Sequence, residues 1–130
     1  MFVTNTPVNA TQITVAESVV MEALWQRSPL SAEGISDEIA EAQGWSFGTV
    51  KTLISRLLKK GAIAASPDRR RFLYSPTFER ADYVLAESQS LLDRLFSGRL
   101  APLVSHFSEA RQLSPEDIEE LERLLAELRR

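Results

Sequence analysis

Residues 46–61 combine an apolar stripe with a face of small and basic side chains. The stripe has the i, i+3, i+4, i+7 spacing of an amphipathic helix that faces a core; its members are Val50, Leu53, Ile54 and Leu57. At about 100° per residue, the opposite face contains no acidic residue and consists of Gly48, Lys51, Thr52, Ser55 and Lys59. Hydroxyl and ammonium groups at this spacing are suited to the base edges and phosphates of a DNA duplex.

Each position of this face fits a different part of a duplex. Thr52 and Ser55 can exchange hydrogen bonds with base edges, and the threonine methyl group can contact a thymine methyl group. Gly48 lies at the start of the predicted helix, where the backbone can approach a phosphate closely and the helix terminus favours an anion. Lys51 and Lys59 suit phosphates, which position a protein on DNA without identifying its sequence.

A cluster of arginines follows this predicted helix. Arg69, Arg70 and Arg71 occupy a short predicted turn, where they can grip the DNA backbone or enter a minor groove. Arg56, on the flank of the helix, has two open interpretations, a phosphate contact and an intramolecular ion pair. The predicted DNA-binding residues are Ser46, Gly48, Thr49, Lys51, Thr52, Ser55, Arg56, Lys59, Arg69, Arg70 and Arg71.

The basic residues are concentrated in one part of an acidic chain. The total charge of the 130 residues is −3, yet residues 46–76 contain seven basic residues and one acidic residue, Asp68. This segment therefore carries +6 and the rest of the chain −9. Such a distribution localises the surface where a polyanion would dock, although a solvated basic surface would show the same charge.

The residue inventory argues against an enzyme. The sequence contains no cysteine and a single histidine, His106, which excludes disulfides, thiolate metal sites and any His or Cys ligand cluster. Paired acids such as Glu119 and Glu120 have the spacing of a solvated helix surface, and no glycine-rich phosphate loop occurs. We therefore predict no catalytic site, no metal and no cofactor. No apolar run reaches the roughly 18 residues that span a bilayer, and no secretion signal is present, so the expected location is the cytoplasm.

Capping signals predict the first two helices. Thr14 and Glu17 form the capping box of a helix over about residues 15–26. Ser31 is the predicted N-cap of a second helix, which Gly44 ends. Each of these helices carries apolar residues at helical spacing that should face a core.

The basic helix and a hairpin follow. Ser46 and Gly61 bound the third helix, and its short connection to the second predicts a helix-turn-helix unit. Residues 62–65 and 72–74 are predicted strands, joined by a turn at residues 67–70. A recognition helix followed by a basic two-stranded wing is the layout of a winged helix-turn-helix.

The C-terminal part is predicted to form helices without a sizeable core of their own. A long helical pattern ends at Gly98, a short helix covers about residues 100–108, and Ser114-Pro115 starts the last helix. Three helices in some fifty residues bury little by themselves, so their apolar stripes should pack against a second copy. The predicted dimerisation residues are Tyr83, Leu91, Leu95, Phe96, Leu103, Phe107, Ile118, Leu121, Leu124, Leu125 and Leu128.

The predicted fold class is therefore mainly α with a small β wing. It has three parts: a flexible arm over residues 1–12, a winged helix-turn-helix DNA-binding domain over residues 13–76, and a helical dimerisation region over residues 77–130.

The residues that follow Trp45 indicate a protein family more specifically than composition or periodicity does. This run reads Thr49-Val50-Lys51-Thr52-Leu53 and continues with Arg56-Leu57 and Lys59-Lys60-Gly61. With looser similarities from Ile13 to the terminal helix, it closely resembles the penicillinase-repressor family, also called the BlaI/MecI/CopY family. The resemblance implies homodimeric repressors that bind dyad-symmetric operators, typically with TACA/TGTA-like half-sites, through the winged helix and dimerise through the C-terminal helices.

Two departures from the family pattern concern regulation. The copper-responsive branch carries a C-terminal cysteine cluster, and this chain has none, which excludes copper sensing by that route. The antibiotic-responsive branch is induced by proteolysis at an Asn-Phe bond in the dimerisation region. The matching positions here are His106 and Phe107, so the phenylalanine is kept and the asparagine is not. Cleavage between them by a regulatory protease is a hypothesis, motivated by the match of Leu103-Val104 and Phe107.

These observations predict a homodimeric repressor that grips an inverted-repeat operator and blocks transcription sterically. The alternative is a winged-helix module for docking to proteins, without sequence-specific DNA binding. The two differ in their response to salt, because only binding to a polyanion weakens steeply as salt increases.

Overall fold

The computed structural model describes residues 12–130. The elements in this range are α1 (Val15–Gln26), α2 (Ala32–Gln43), α3 (Phe47–Lys60), β1 (Ile63–Asp68), β2 (Arg71–Pro76), α4 (Arg80–Leu95), α5 (Leu100–Glu109) and α6 (Pro115–Leu128). The predicted arm over residues 1–12 lies outside the described residues except for Gln12. The chain divides into two compact units, a first unit that extends to Glu87 and a second unit, Ser88–Arg130. Six helices and a two-stranded sheet confirm the predicted fold class.

The first three helices start at the predicted caps. The Thr14 hydroxyl accepts a hydrogen bond from the Glu17 amide at 3.1 Å, and the Glu17 carboxylate accepts one from the Thr14 amide at 3.0 Å, which confirms the capping box. Ser31 and Ser46 cap α2 and α3 through the amide three residues further on. α3 ends at Gly61, whose φ of 76° is in the left-handed region that favours glycine.

The core of the first unit lies between α1, α2 and α3. The apolar stripe of α3 is buried as predicted, and it packs with residues from the other two helices and from the start of β1. The principal buried side chains are Val20, Met21, Leu24, Ile35, Ile39, Val50, Leu53, Ile54, Leu57 and Ile63. Because a helix is polar on the side away from its buried stripe, this packing turns the basic face of α3 to the surface.

The wing is an antiparallel hairpin that is longer than the sequence predicts. Its register runs from Ile63 opposite Pro76 to Asp68 opposite Arg71. The prediction that Pro67 belongs to the turn is wrong, because this residue lies in β1. A proline is tolerated there since each strand of a two-stranded sheet is an edge strand, where a missing N–H need not break a ladder bond.

The turn and the base of the wing are both held by backbone geometry. Only Arg69 and Arg70 separate the strands, and Arg69 adopts a φ of 61°. At the other end, Leu30 and Tyr74 exchange backbone hydrogen bonds of 3.1 and 2.7 Å. These bonds tie the hairpin to the segment that precedes α2, so the wing has a fixed position beside the helices of the first unit.

The second unit contains the end of α4 together with α5 and α6. α6 starts at the predicted signal, since Ser114 and Asp117 form a capping box and Pro115 is the first helical residue. The helical pattern that was predicted to reach Gly98 ends at Leu95, because Ser97 and Gly98 adopt left-handed φ values of 53° and 77°. No side chain of α4, α5 or α6 is buried.

Candidate nucleic-acid interface

All predicted DNA-binding residues of α3 lie on the surface. The exposed residues are Ser46, Gly48, Thr49, Lys51, Thr52, Ser55, Arg56 and Lys59. The α3 segment has no acidic residue in its first turn and ends with Lys59 and Lys60. The structure therefore presents a continuous polar and basic helix face, opposite the buried stripe.

The N-terminal end of α3 is fixed by its cap. The Ser46 hydroxyl accepts a hydrogen bond from the Thr49 amide at 3.1 Å and lies 3.2 Å from the Thr49 hydroxyl. The amides of Phe47 and Gly48 have no acceptor within the helix, because the first N–H groups of any helix lack one. Such amides, at the positive end of the helix dipole, form a binding position for a phosphate.

The Thr52 hydroxyl has a defined polarity. It donates a hydrogen bond to the Gly48 carbonyl oxygen at 3.0 Å, within the helix. Because the hydroxyl proton is used within the helix, an external partner can contact only the acceptor lone pairs of the oxygen and the methyl group. These groups match an amino donor of adenine or cytosine and the methyl group of thymine.

Arg56 does not form the intramolecular ion pair that the sequence left open. In the part of the chain that the structure describes, the basic partners in ion pairs are Arg27, Lys60, Arg71 and Arg80. Arg56 is exposed on the flank of α3. Its contact with a phosphate stays a prediction.

The three arginines of the wing are exposed but differ in their surroundings. Arg71 Nε lies 3.3 Å from Asp68 Oδ2, across the end of the hairpin. Within residues 12–130, no ion pair involves Arg69 or Arg70, which form the tip itself. The tip therefore carries two uncompensated guanidinium groups, while Asp68 partly offsets the charge of Arg71.

Lys60 has a positional role that the sequence did not reveal. Lys60 lies in the last turn of α3 and reaches α1, where its Nζ lies 2.6 Å from Glu17 Oε1. It also donates to the Gln12 carbonyl oxygen at 2.8 Å. Glu17 is only 1% exposed. No local pattern could indicate this pair, because its members are 43 residues apart.

The environment of Glu17 keeps its carboxylate ionised. Burial acts to raise its pKa, but hydrogen bonds from Lys60 and Thr14 and the charge of Lys60 outweigh that effect, so the pKa lies below its ordinary value. The ion pair joins the C-terminal end of α3 to the first turn of α1. It therefore fixes how α3 is presented at the surface.

Phe47 is a second residue that the sequence analysis passed over. It is the first residue of α3, 40% exposed, and its ring centroid lies 5.5 Å from Lys51 Nζ. The available signal was its spacing, because it precedes Lys51 and Ser55 in steps of four. Because Phe47 is apolar, it was not grouped with the polar residues that share this spacing.

The predicted dimerisation residues are all at least partly exposed, but they do not lie in one unit. Tyr83 belongs to the first unit, where its ring centroid lies 5.3 Å from that of Trp25. Leu91, Phe96, Leu103 and Leu121 are half-buried. The exposed members are Leu95, Phe107, Ile118, Leu124, Leu125 and Leu128. Their role in dimerisation stays a prediction.

A cluster of potential metal ligands and a membrane-spanning helix are both absent from residues 12–130. Within them no group of three or more His, Cys, Asp or Glu residues could hold a metal ion. In the same range, no helix is long and apolar enough to cross a membrane. His106 lies in α5 with its ring centroid 6.5 Å from that of Phe96.

A buried helix-turn-helix core, an exposed basic second helix of that motif and an arginine-tipped hairpin define a winged helix-turn-helix protein. The family model for the penicillinase repressor matches residues 13–127. The chain belongs to the penicillinase-repressor family, whose members are DNA-binding transcriptional regulators and not enzymes. This confirms the family that the sequence motifs indicate.

Individual relatives show how much of the chain is shared. The penicillinase repressor of Bacillus licheniformis is 37% identical over 116 residues, which cover 89% of this chain and 91% of that protein. The methicillin resistance regulatory protein MecI of Mammaliicoccus sciuri is 36% identical over 114 residues, with coverages of 88% and 93%. The solution structure of monomeric Bacillus licheniformis BlaI in complex with the blaP half-operator matches with a TM-score of 0.50 and 35% identity, over 55% of this chain and 88% of that chain.

Proposed function

We propose that this protein is a homodimeric transcriptional repressor that binds an inverted-repeat DNA operator through α3 and the wing. The observation that carries the proposal is the exposed, acid-free face of α3, together with the exposed arginines at the tip of the wing. The family membership and the half-operator complex of BlaI support the same role for this surface. A dimer that covers two half-sites excludes RNA polymerase from the promoter sterically.

The second unit supports the homodimer. Its helices bury no side chain, yet they expose large apolar groups such as Leu95, at 60%, and Leu128, at 80%. Apolar stripes of this kind are unstable in water unless a partner covers them. A second copy is the partner that the family implies, and its two-fold symmetry accounts for an inverted-repeat operator. A protein with this role must reach the chromosome, so the proposed location is the bacterial cytoplasm.

Regulation in this proposal is by a protease that cuts between His106 and Phe107. Both residues are exposed, Phe107 to 44%, but they lie within α5. Proteases bind extended chains, so cleavage requires α5 to unfold locally. In a single chain α5 has no buried side chain, so opening costs little there; in the dimer it also requires α5 to leave the second copy. Incubation with lysate of induced host cells should yield a fragment that ends at His106, and an intact chain would count against this step.

Salt dependence tests the DNA-binding role. The probe is a palindromic duplex selected by this protein from a random-sequence library, and the readout is the dissociation constant across a range of salt concentrations. The slope of log K against log salt should be steep, at roughly −0.9 per phosphate contact. Lys51→Ala should lower its magnitude by about one per half-site while leaving the preferred sequence unchanged.

The control is Arg123→Ala, which removes an equal charge from α6 and should leave the slope unaltered. Failure to select any duplex, or a flat salt response, would favour the docking module over the repressor. An unchanged slope in Lys51→Ala would remove Lys51 from the set of phosphate contacts.

A further inference from the structure

We propose that Phe47 is a specificity-determining residue that contacts the methyl group of a thymine in the major groove. The inference rests on the proposed function, since it requires α3 to lie in a DNA groove. Phe47 is the first residue of α3 and is 40% exposed, whereas Val50, three residues further on, is completely buried. The exposed part of this phenyl ring is apolar area that a bound partner would cover.

Phe47 lies at the head of a row of exposed residues along α3. Phe47, Lys51, Ser55 and Lys59 follow each other in steps of four, and all of them are exposed. Residues at this spacing form one ridge on a helix, since four residues advance about 40° beyond a full turn. Phe47 therefore leads the row whose other members are predicted to face DNA. The N-terminal residues of recognition helices are those that contact base edges.

The residues on either side of Phe47 close the core and cap the helix without it. Sealing the core at this end of α3 is the role of Trp45, which is half-buried and packs against the core. The cap formed by Ser46 and Thr49 fixes the first turn of α3 and with it the Cα of Phe47. The ring is thus held at the surface by a rigid helix end and is not needed to close the interior.

The chemistry of the ring selects the target. A phenyl group forms no hydrogen bond, and the apolar group that a base pair presents in the major groove is the C5-methyl group of thymine. Lys51 Nζ lies 5.5 Å from the ring centroid, within the range of a cation–π contact. The ammonium group therefore lies over the ring, so a phosphate contact by Lys51 and a methyl contact by Phe47 would be adjacent on one edge of the helix.

The test removes a single methyl group from the DNA. In the duplex selected by the wild-type protein, each thymine is replaced in turn, in both half-sites, by deoxyuridine, and dissociation constants are measured for the full-length protein. At one thymine the wild-type affinity should fall about fourfold per half-site, or about 15-fold for the dyad. Fourfold corresponds to the ~0.8 kcal/mol of one methylene-sized apolar group.

Variants identify the residue that reads this methyl group. Phe47→Ala should lose the discrimination at that thymine and keep it at any other, and Phe47→Leu should retain part of it. The matched control is Leu58→Ala, in the same helix with a side-chain exposure of 38%, which should discriminate as the wild type does. Leu58 lies eleven residues, or about 16 Å, along α3 from the leading end.

The outcomes separate this inference from the proposed function. Thermal unfolding tests whether Phe47→Ala is folded. If it is unfolded, the loss of discrimination is measured with Phe47→Leu instead. Equal losses in wild type and variant at every thymine, or no loss at any thymine, overturn the methyl contact but leave DNA binding intact. Failure of the wild type to select a duplex overturns the proposed function and the contact together.

Discussion

Gly48→Ala separates the stability of α3 from its ability to bind DNA. Gly48 is the second residue of α3 and does not need a left-handed φ, so an alanine fits its backbone. A Cβ at this position would lie 3.7 Å from Ser46 Oγ, which is an ordinary van der Waals contact. Nothing inside the described structure therefore requires a glycine here.

The magnitude follows from these observations. Alanine is favoured over glycine in a helix, so Gly48→Ala should raise the free energy of unfolding by about 0.5–1 kcal/mol. If the backbone approaches DNA closely, the added methyl group meets the duplex, and overpacking of that kind costs roughly 1–3 kcal/mol. The dissociation constant should therefore increase about fivefold to 140-fold per half-site, at about 1.4 kcal/mol per factor of ten.

Two measurements on the same preparation test whether the backbone at Gly48 approaches DNA closely. Chemical unfolding gives the stability, and fluorescence anisotropy with the selected duplex gives the affinity. The control is Ser88→Ala, at an exposed position of α4, which likewise favours a helix but adds no methyl group to α3, so DNA affinity should be unchanged. A more stable Gly48→Ala variant with wild-type affinity would refute the close approach. A less stable variant would refute the claim that the structure accommodates an alanine at position 48.

Two further predictions concern Glu17 and the division of the chain. Because the pKa of Glu17 in the folded protein lies below its ordinary value of 4.5, its contribution to stability is present at neutral pH and is lost as the pH falls through the lowered pKa. Glu17→Gln should cost roughly 1–3 kcal/mol at pH 7, and its difference from wild type, followed by urea unfolding, should shrink below about pH 4; a difference independent of pH would contradict the ion pair with Lys60. A chain truncated after Glu87 should sediment as a folded monomer and bind the duplex roughly 10²–10⁴-fold more weakly, whereas truncation after Pro76 should also lower stability because Trp25 loses Phe78 and Tyr83. Sedimentation of either fragment as a dimer would show that the assembly surface lies elsewhere.

Local rules account for what could be predicted from the sequence. The capping box at Thr14 and the serine caps of α2 and α3 depend on hydrogen bonds across three residues, and the buried stripe of α3 depends on helical periodicity. Both are properties of short stretches of chain. They suffice to place the predicted DNA-binding residues of α3 on its exposed face.

What escaped prediction depends on distant pairing. Pro67 was assigned to the turn, but its place opposite Phe72 in the hairpin is set by the register of two strands. The contact of Lys60 with Glu17 joins the ends of two helices that are far apart in sequence. The packing of Tyr83 on Trp25 likewise brings α4 against α1, which no periodicity within either helix can indicate.

Because no side chain of the helices in residues 88–130 is buried, the proposed repressor should respond steeply to its own cellular concentration. In the homodimer proposed above, the operator-competent species would grow with the square of the free chain concentration when dimers are scarce. Occupancy of the promoter should then switch over a narrow interval of expression level. Chains left single would offer Leu125 and Leu128 to cellular quality-control proteases, which would sharpen that threshold by clearing the surplus.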